Sequence, residues 1–434
     1  MKQFLKKNLE LINLTSALGL VVFAIFPFRK TLLTSHSFIV GHYSDFLSIV
    51  IPFALVPLLT PLIAKSLSEG GVFKNFKEFY KEHWYISLFL IYLYLNFALK
   101  TTDFLFFGLY KLFYLTMLWI ALPSWVEIVK NSTTWWNISK TLIFMLFFQT
   151  FLGLLQVILQ RDVGLMFLME PRLSADLPGL AREPLLNFLV LRAYGTFLHP
   201  NIFAFFAVFS TLSSLFLLNG PLSKQLRYIL WANCWLAVIL SGSRGALLGL
   251  FSIFVISFTW KRVSRGGLIL SFALLSAVIL FSPLLSFRLH NLTDGDNLRL
   301  EQSKIALELM HQNPIFGIGL SESMLHMEHF FGNARDFWKV EPIHSFVLTI
   351  LTELGFLGLI LFLLIYIKLV RRMFRMEHIS ENEKKVWFQI LSFGMLISLF
   401  DHYLITSFQA GILSFIVVAY FISRFEPTYD NRSF

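Results

Sequence analysis

Arg192, Arg244, Arg288, Arg299 and His344 stand in the polar intervals of an otherwise apolar chain, and few carboxylates accompany them beyond Asp294, Asp296, Glu301 and Glu341. Guanidiniums present planar forks of donors that match phosphate oxygens, and an imidazole titrates close to neutral pH. With neither a carboxylate cluster nor Cys/His spacing suited to a metal, the set points to a phosphate-bearing ligand bound without metal or other cofactor. A lipid-linked diphosphate fits, because its tail would lie in a bilayer and its head among the arginines. His344 closes the long polar interval of the second half, in Glu341-Pro-Ile-His344-Ser345, and a hydrophobic run starts at Phe346. A histidine at such a junction is held by a rigid element, which suits a base; a purely structural boundary histidine is the competing reading.

The arginines occupy different local settings. Ser241-Gly-Ser-Arg244-Gly-Ala246 marks a tight reversal between two apolar runs, where small residues let an anion approach the backbone. A helical hairpin turn with a snorkelling arginine explains the same residues. Arg192-Ala-Tyr-Gly-Thr-Phe-Leu-His199-Pro-Asn201 leads into another apolar run, with His199-Pro-Asn a good helix start and Asn201 a cap. Arg299 falls on a helix expected over about Asn297 to His311, sharing a face with Gln302, Ser303 and Ala306. Leu298, Ile305 and Leu309 form an apolar stripe that would anchor this helix on the membrane. Asp401-His402 lie near the end of an apolar run, where ionisable groups line a cavity or brace a neighbouring helix. With Glu353, some two and a half turns beyond His344, they are possible acceptor-path or supporting residues.

The elements that must position these side chains follow from composition. Of 434 residues, 56% are hydrophobic and 14% charged, and apolar stretches long enough for ~30 Å of hydrocarbon recur throughout. The fold class is an all-α polytopic membrane protein in one integral domain. Its helices are expected at 9 to 28, 43 to 65, 84 to 99, 104 to 124, 140 to 160, 200 to 219, 227 to 242, 245 to 260, 266 to 286, 345 to 370, 387 to 406 and 408 to 424. Twelve spans put both termini on one side. The net charge of +10 is then read by position: most Lys and Arg fall in one set of loops, which the positive-inside rule makes cytoplasmic, and no nucleic acid is implied. The long intervals 161–200 and 287–344 fall outside, the second with the amphipathic helix. The apolar segment Gly164 to Leu180 is expected along the outer interface. The single cysteine, Cys234, lies in an apolar run and excludes a disulfide framework. The basic start, Met1 to Lys7, precedes an apolar run without a small-residue cleavage site near Phe26 to Arg29, so the first helix reads as uncleaved.

Taken in order, Ser243-Arg244-Gly-Ala-Leu-Leu248, Arg299 with the following helix and Asn313-Pro-Ile-Phe-Gly317-Ile-Gly319, and His344-Ser with Gly355 and Gly358 resemble the O-antigen ligase and polymerase superfamily of bacterial membrane glycosyltransferases. Arg192-Ala-Tyr-Gly-Thr-Phe and His199-Pro-Asn201 resemble its upstream segment, so the resemblance runs over roughly residues 190 to 360. It implies transfer of a glycan from undecaprenyl diphosphate to an acceptor at the periplasmic face of the bacterial inner membrane, with no metal or nucleotide. The acceptor is lipid A-core for a ligase and another lipid-linked repeat unit for a polymerase. Carried onto this chain, Arg244, in an Arg-x-x-x-Leu pattern ending at Leu248, and Arg299 hold the diphosphate. His344, in a His-x10-Gly pattern ending at Gly355, is the base. Arg288 competes with Arg299 for the second arginine, and Arg192 joins the set with a less defined role. A reading from another class, a twelve-helix secondary transporter, shares the layout, but transporters place ionisable groups near the midplane on broken helices.

Overall fold

A computed structural model describes residues 2–33, 37–39, 42–43, 48–69, 72–100, 105–174, 177, 179–185, 188–215, 224–260, 294–332, 339–377 and 379–425. Among them run fifteen α-helices: α1 (Lys2–Ile25), α2 (Leu55–Glu69), α3 (Val72–Glu82), α4 (Trp84–Lys100), α5 (Leu105–Lys130), α6 (Ser132–Leu159), α7 (Pro200–Leu215), α8 (Lys224–Ser241), α9 (Arg244–Thr259), α10 (Asp294–Gln312), α11 (Glu322–Phe331), α12 (Phe346–Arg375), α13 (Glu381–Phe400), α14 (Tyr403–Thr406) and α15 (Phe408–Phe425). The stretch Lys7–Ile25 of α1 and helices α5, α6, α12 and α15 are long and apolar enough to cross a membrane; α4, α7, α9 and most of α2 are shorter apolar helices. The expected span at 266 to 286 and Arg288 lie outside the described residues.

Helix α7 is the axis of the bundle. It is apolar all round, as a fully enclosed helix must be, and every residue from Pro200 to Ser214 is buried. Helices α6, α8, α9, α13 and α15 pack around it. The large aromatics of this core stack in pairs, Phe205 on Phe393 and Trp135 on Tyr420.

The second expected helix, 43 to 65, is corrected at its start. Its apolar beginning includes β4 (Ile49–Pro52), which pairs antiparallel with β1 (Arg29–Leu32), and the helix begins only at Leu55. Ile-Val-Ile is β-branched and suits a pleated edge better than a helical turn. Two more hairpins occur, β2 (Phe38–Ile39) with β3 (His42–Tyr43) and β5 (Arg182–Leu185) with β6 (Phe188–Leu191).

Helix α12 is broken at Gly355, whose φ of 68° and ψ of −170° fit only glycine. The break frees backbone groups that the segment after α10 takes up. Phe356 and Leu357 N–H donate to the Pro314 and Ile315 carbonyls, and Ile318 and Gly319 N–H donate to Thr352 and Glu353. Helix α4 completes the seam: Tyr92 hydroxyl donates to Leu354 O, Asn96 to Phe316 O and Lys100 to Asn313 Oδ1. This stitching fixes α10 against the first turns of α12.

The stripe of α10 goes elsewhere than expected. Leu298 and Ala306, with Ile305 against them, pack with Met324, Met327 and Phe331 of α11 and with Val340 and Ile343, and Leu309 is also buried, so the stripe is covered by protein. In the segment Gly164 to Leu180, Met166 and Phe167 are exposed, and the turn is pinned from within. The buried Glu170 carboxylate accepts from Val163 N, Leu165 N and Gln156 Nε2.

Candidate functional site

One cavity gathers residues separated by more than two hundred positions in the chain. It is lined by Arg192, Asn201, Gly242 to Gly245 with Arg244 among them, Arg299, Ile397, Phe400, Asp401 and Tyr403. Each arginine arrives by its own construction. Arg192 follows β6, and the chain after it, Ala193 to Phe197, has no helix or strand to satisfy its buried backbone. Two glutamines of α6 do so: Gln156 Oε1 accepts from Tyr194 N and Gly195 N, and Gln149 Oε1 accepts from Thr196 N. Unpaired buried amides would cost about 1–3 kcal/mol each, so this clamp gives Arg192 a fixed base. The guanidinium donates to Ser241 O and Asn201 Oδ1 and lies 3.9 Å from the Glu183 carboxylate.

Arg244 is the first residue of α9, just after the α8–α9 turn. Ser243 caps that helix through Ala246 N, and the arginine side chain is exposed beside the cavity. Arg299, one turn into α10, lines the same cavity. Among the described residues, none hydrogen-bonds or ion-pairs with its guanidinium.

Asn201 was expected to cap α7, and the structure corrects this. The cap is His199, whose Nδ1 accepts from Asn201 N at 3.1 Å. The Asn201 side chain instead bridges the site, accepting from Arg192 and donating to Asp401 Oδ2. Asp401 Oδ1 accepts from His402 N, and its carbonyl accepts from Phe346 N, so the end of α13 is tied to the start of α12. That tie brings His402 against His344, with ring centroids 5.2 Å apart in an edge-on pair.

His344 has both nitrogens engaged: Nδ1 lies 2.7 Å from Gln302 Oε1, and Nε2 lies 3.5 Å from Glu341 Oε2. Burial holds His344 well below the ordinary imidazole value, and the positive charge of Arg299 adds to the effect. Burial does the same to His199. It takes His402 down to about 4, against the pull of Asp401. All three imidazoles are therefore neutral at neutral pH, the state in which a histidine accepts a proton. Burial pushes the Glu341 carboxyl up to about 7, with Arg299 opposing, although 32% of its side chain stays open to water.

The remaining expected residue, Glu353, sits in a different network. It accepts from Ser323 Oγ at 2.5 Å and pairs with Lys111 at 3.7 Å, next to the α12 break. Gln302, Glu341 and Asn201 carry contacts that sequence reading did not assign them. The only signal available was that Gln302 shares the Arg299 face. Tyr403 also lines the cavity, and its hydroxyl is buried without a hydrogen-bond partner among the described residues.

Helices of this length and apolarity, with arginines and imidazoles gathered at one end of the bundle, define a multi-pass membrane protein built around a polar cavity. Compared with known families, residues 229–363 match the family described as O-antigen ligase. The matched region holds Arg244, Arg299 and His344. No curated protein matches the chain.

Proposed function

We propose that this protein transfers an O-antigen-like glycan from undecaprenyl diphosphate to a glycan acceptor at the periplasmic face of the bacterial inner membrane, as an O-antigen ligase acting on lipid A-core. The observation that carries the reading is the convergence of Arg192, Arg244 and Arg299, from three distant stretches, on one cavity beside His344. Arg244 and Arg299 meet the diphosphate oxygens. Arg192, already engaged with Ser241 and Asn201, adds charge and holds the Asn201–Asp401 bridge in place.

The chemistry follows from the leaving group. As the bond from the anomeric carbon to the diphosphate oxygen breaks, its electron pair leaves with the diphosphate, and preorganised guanidiniums meet the charge that develops. The acceptor oxygen forms the new bond to that carbon from the opposite side, which inverts its configuration. Its proton passes to Nε2 of neutral His344.

The test is transfer of native lipid-linked glycan to acceptor in proteoliposomes. His344→Ala is expected to abolish transfer while the protein still inserts. Arg244→Ala and Arg299→Ala should raise the donor concentration needed for half-maximal rate. Normal transfer by His344→Ala refutes the assignment. A product of lengthened lipid-linked polymer, with lipid A-core unmodified, makes the enzyme a polymerase, and substrate flux without a new glycosidic bond makes it a transporter.

A further inference from the structure

The contacts of His344 point to one tautomer of its ring, and they bring in a second ionisable group. An amide oxygen only accepts, so the 2.7 Å contact to Gln302 Oε1 places the imidazole proton on Nδ1. Gln302 is fully buried and its own N–H group reaches the Glu341 carbonyl at 3.5 Å, which orients the amide. The lone pair is then on Nε2, and the group facing Nε2 is the Glu341 carboxyl, at 3.5 Å.

We propose that Glu341 gates His344. As a carboxylate it leaves the Nε2 lone pair open to the acceptor hydroxyl and then faces the imidazolium that forms; as an acid it keeps its proton and donates a hydrogen bond to that lone pair, which switches the base off. This rests on the reading of His344 as the base. In a turnover, the hydroxyl proton moves to Nε2. Glu341 then takes it from Nε2 and releases it to water through its open face, so the proton balance closes without another reactant. Glu341 touches no substrate in this scheme and acts only through Nε2 of His344.

The charged and titratable groups around the pair come from every packed element. Arg299 of α10 favours the carboxylate and Asp401, at the end of α13, disfavours it. His402 and His199 face His344, and Tyr194 feels the Glu341 charge. His344 itself titrates well below its ordinary value, whereas Glu341 titrates near 7. An acid limb near 7 in the rate therefore belongs to Glu341.

The experiment uses the full chain in proteoliposomes, with the transfer rate measured from pH 5.5 to 8.5 using native lipid-linked glycan. Wild type should rise through about pH 7. In Glu341→Ala the rise should move to lower pH and the plateau drop at least tenfold, and Glu341→Asp should restore the limb. A second readout needs no turnover: acylation of His344 by diethyl pyrocarbonate, followed on its own peptide by mass spectrometry. Its onset should follow Glu341 ionisation in wild type, begin at lower pH in Glu341→Ala, and stay slow at every pH in Glu341→Gln, whose amide keeps a donor on Nε2. Unchanged acylation and rate profiles in Glu341→Ala overturn the gate. Shifted acylation together with full transfer by His344→Ala leaves the pairing intact and refutes the functional reading on which it rests.

Discussion

Substituting Gly355 by alanine strikes the site from below, without touching any group in the cavity. At φ 68° and ψ −170°, an L-residue is strained by about 1–3 kcal/mol. The new Cβ would also stand 2.2 Å from Ile315 O, 2.4 Å from its carbonyl carbon and 2.7 Å from Gly317 N. These are backbone atoms, so the clash is relieved only by parting the segment 313–319 from α12, and overpacking of this kind adds about 1–3 kcal/mol. The sum is about 2–6 kcal/mol against Gly355→Ala. Because α10 enters that segment, Arg299 and Gln302 move with it, and a shift of about 1 Å in a reacting geometry costs on the order of a hundredfold in rate. Gly394 of α13 provides the control: nothing lies within 4 Å of a Cβ built there, so Gly394→Ala should be neutral or stabilising by up to about 1 kcal/mol. Thermal melting of the purified proteins, paired with the transfer assay, reads both effects. A Gly355→Ala protein that melts and transfers as wild type does would show that the break in α12 does not set the site.

Two further outcomes follow from the geometry. Tyr403→Phe removes only a buried hydroxyl that has no partner among the described residues and lines the cavity. If that hydroxyl donates to the diphosphate, the donor KM rises by about ten- to a hundredfold, in line with about 1.5–3 kcal/mol for a hydrogen bond to a charged group, while melting is unchanged. Acid should destabilise the fold through its imidazoles. Above pH 6.5 the histidines are neutral in both folded and unfolded chains. As pH falls from there towards 4, the unfolded chain takes up protons that the folded chain refuses, and stability is lost. For His402, held to about 4, this amounts to about 3 kcal/mol at about 1.4 kcal/mol per pH unit. Glu341 runs the other way, because a carboxyl titrating near 7 loses stability as pH rises from 4.5 to 7. Removing it in Glu341→Gln should therefore make the melting temperature climb more steeply between pH 4.5 and 6.5 than in wild type.

What the sequence revealed tracks how local the cause is. Apolar runs bounded by Arg, Lys, Gly and Pro located the starts of α5, α7, α9, α12 and α15 to within one residue, because hydropathy is a property of each segment alone, while α5 and α12 run on to Lys130 and Arg375, beyond the ends expected at 124 and 370. Residues 43–65 misled for the same reason: Ile49 to Pro52 is apolar enough for a helix, and only its partner Arg29–Leu32 makes it a strand. The α10 stripe was read correctly as apolar and assigned the wrong neighbour, since a stripe does not say whether lipid or Met327 will cover it. Arg192, Arg244, Arg299 and His344 stood out by residue type. Asn201 and Gln302 did not, because their importance lies in pairings with Asp401, 200 residues further along, and with His344, 42 residues further along.

The turn that begins α9 has a bearing on how the cavity would tolerate mutation. The wall from Gly242 to Gly245 is the start of a sixteen-residue helix, and the aligned peptide dipoles of such a helix sum to about half a positive charge at that end. This field belongs to the main chain, so no side-chain replacement removes it, and it is present before any substrate arrives. An anion drawn to the cavity is thus held by two independent sources of positive potential. Loss of a single guanidinium should leave a weakened enzyme rather than an empty one, and double replacements should be far more severe than either alone.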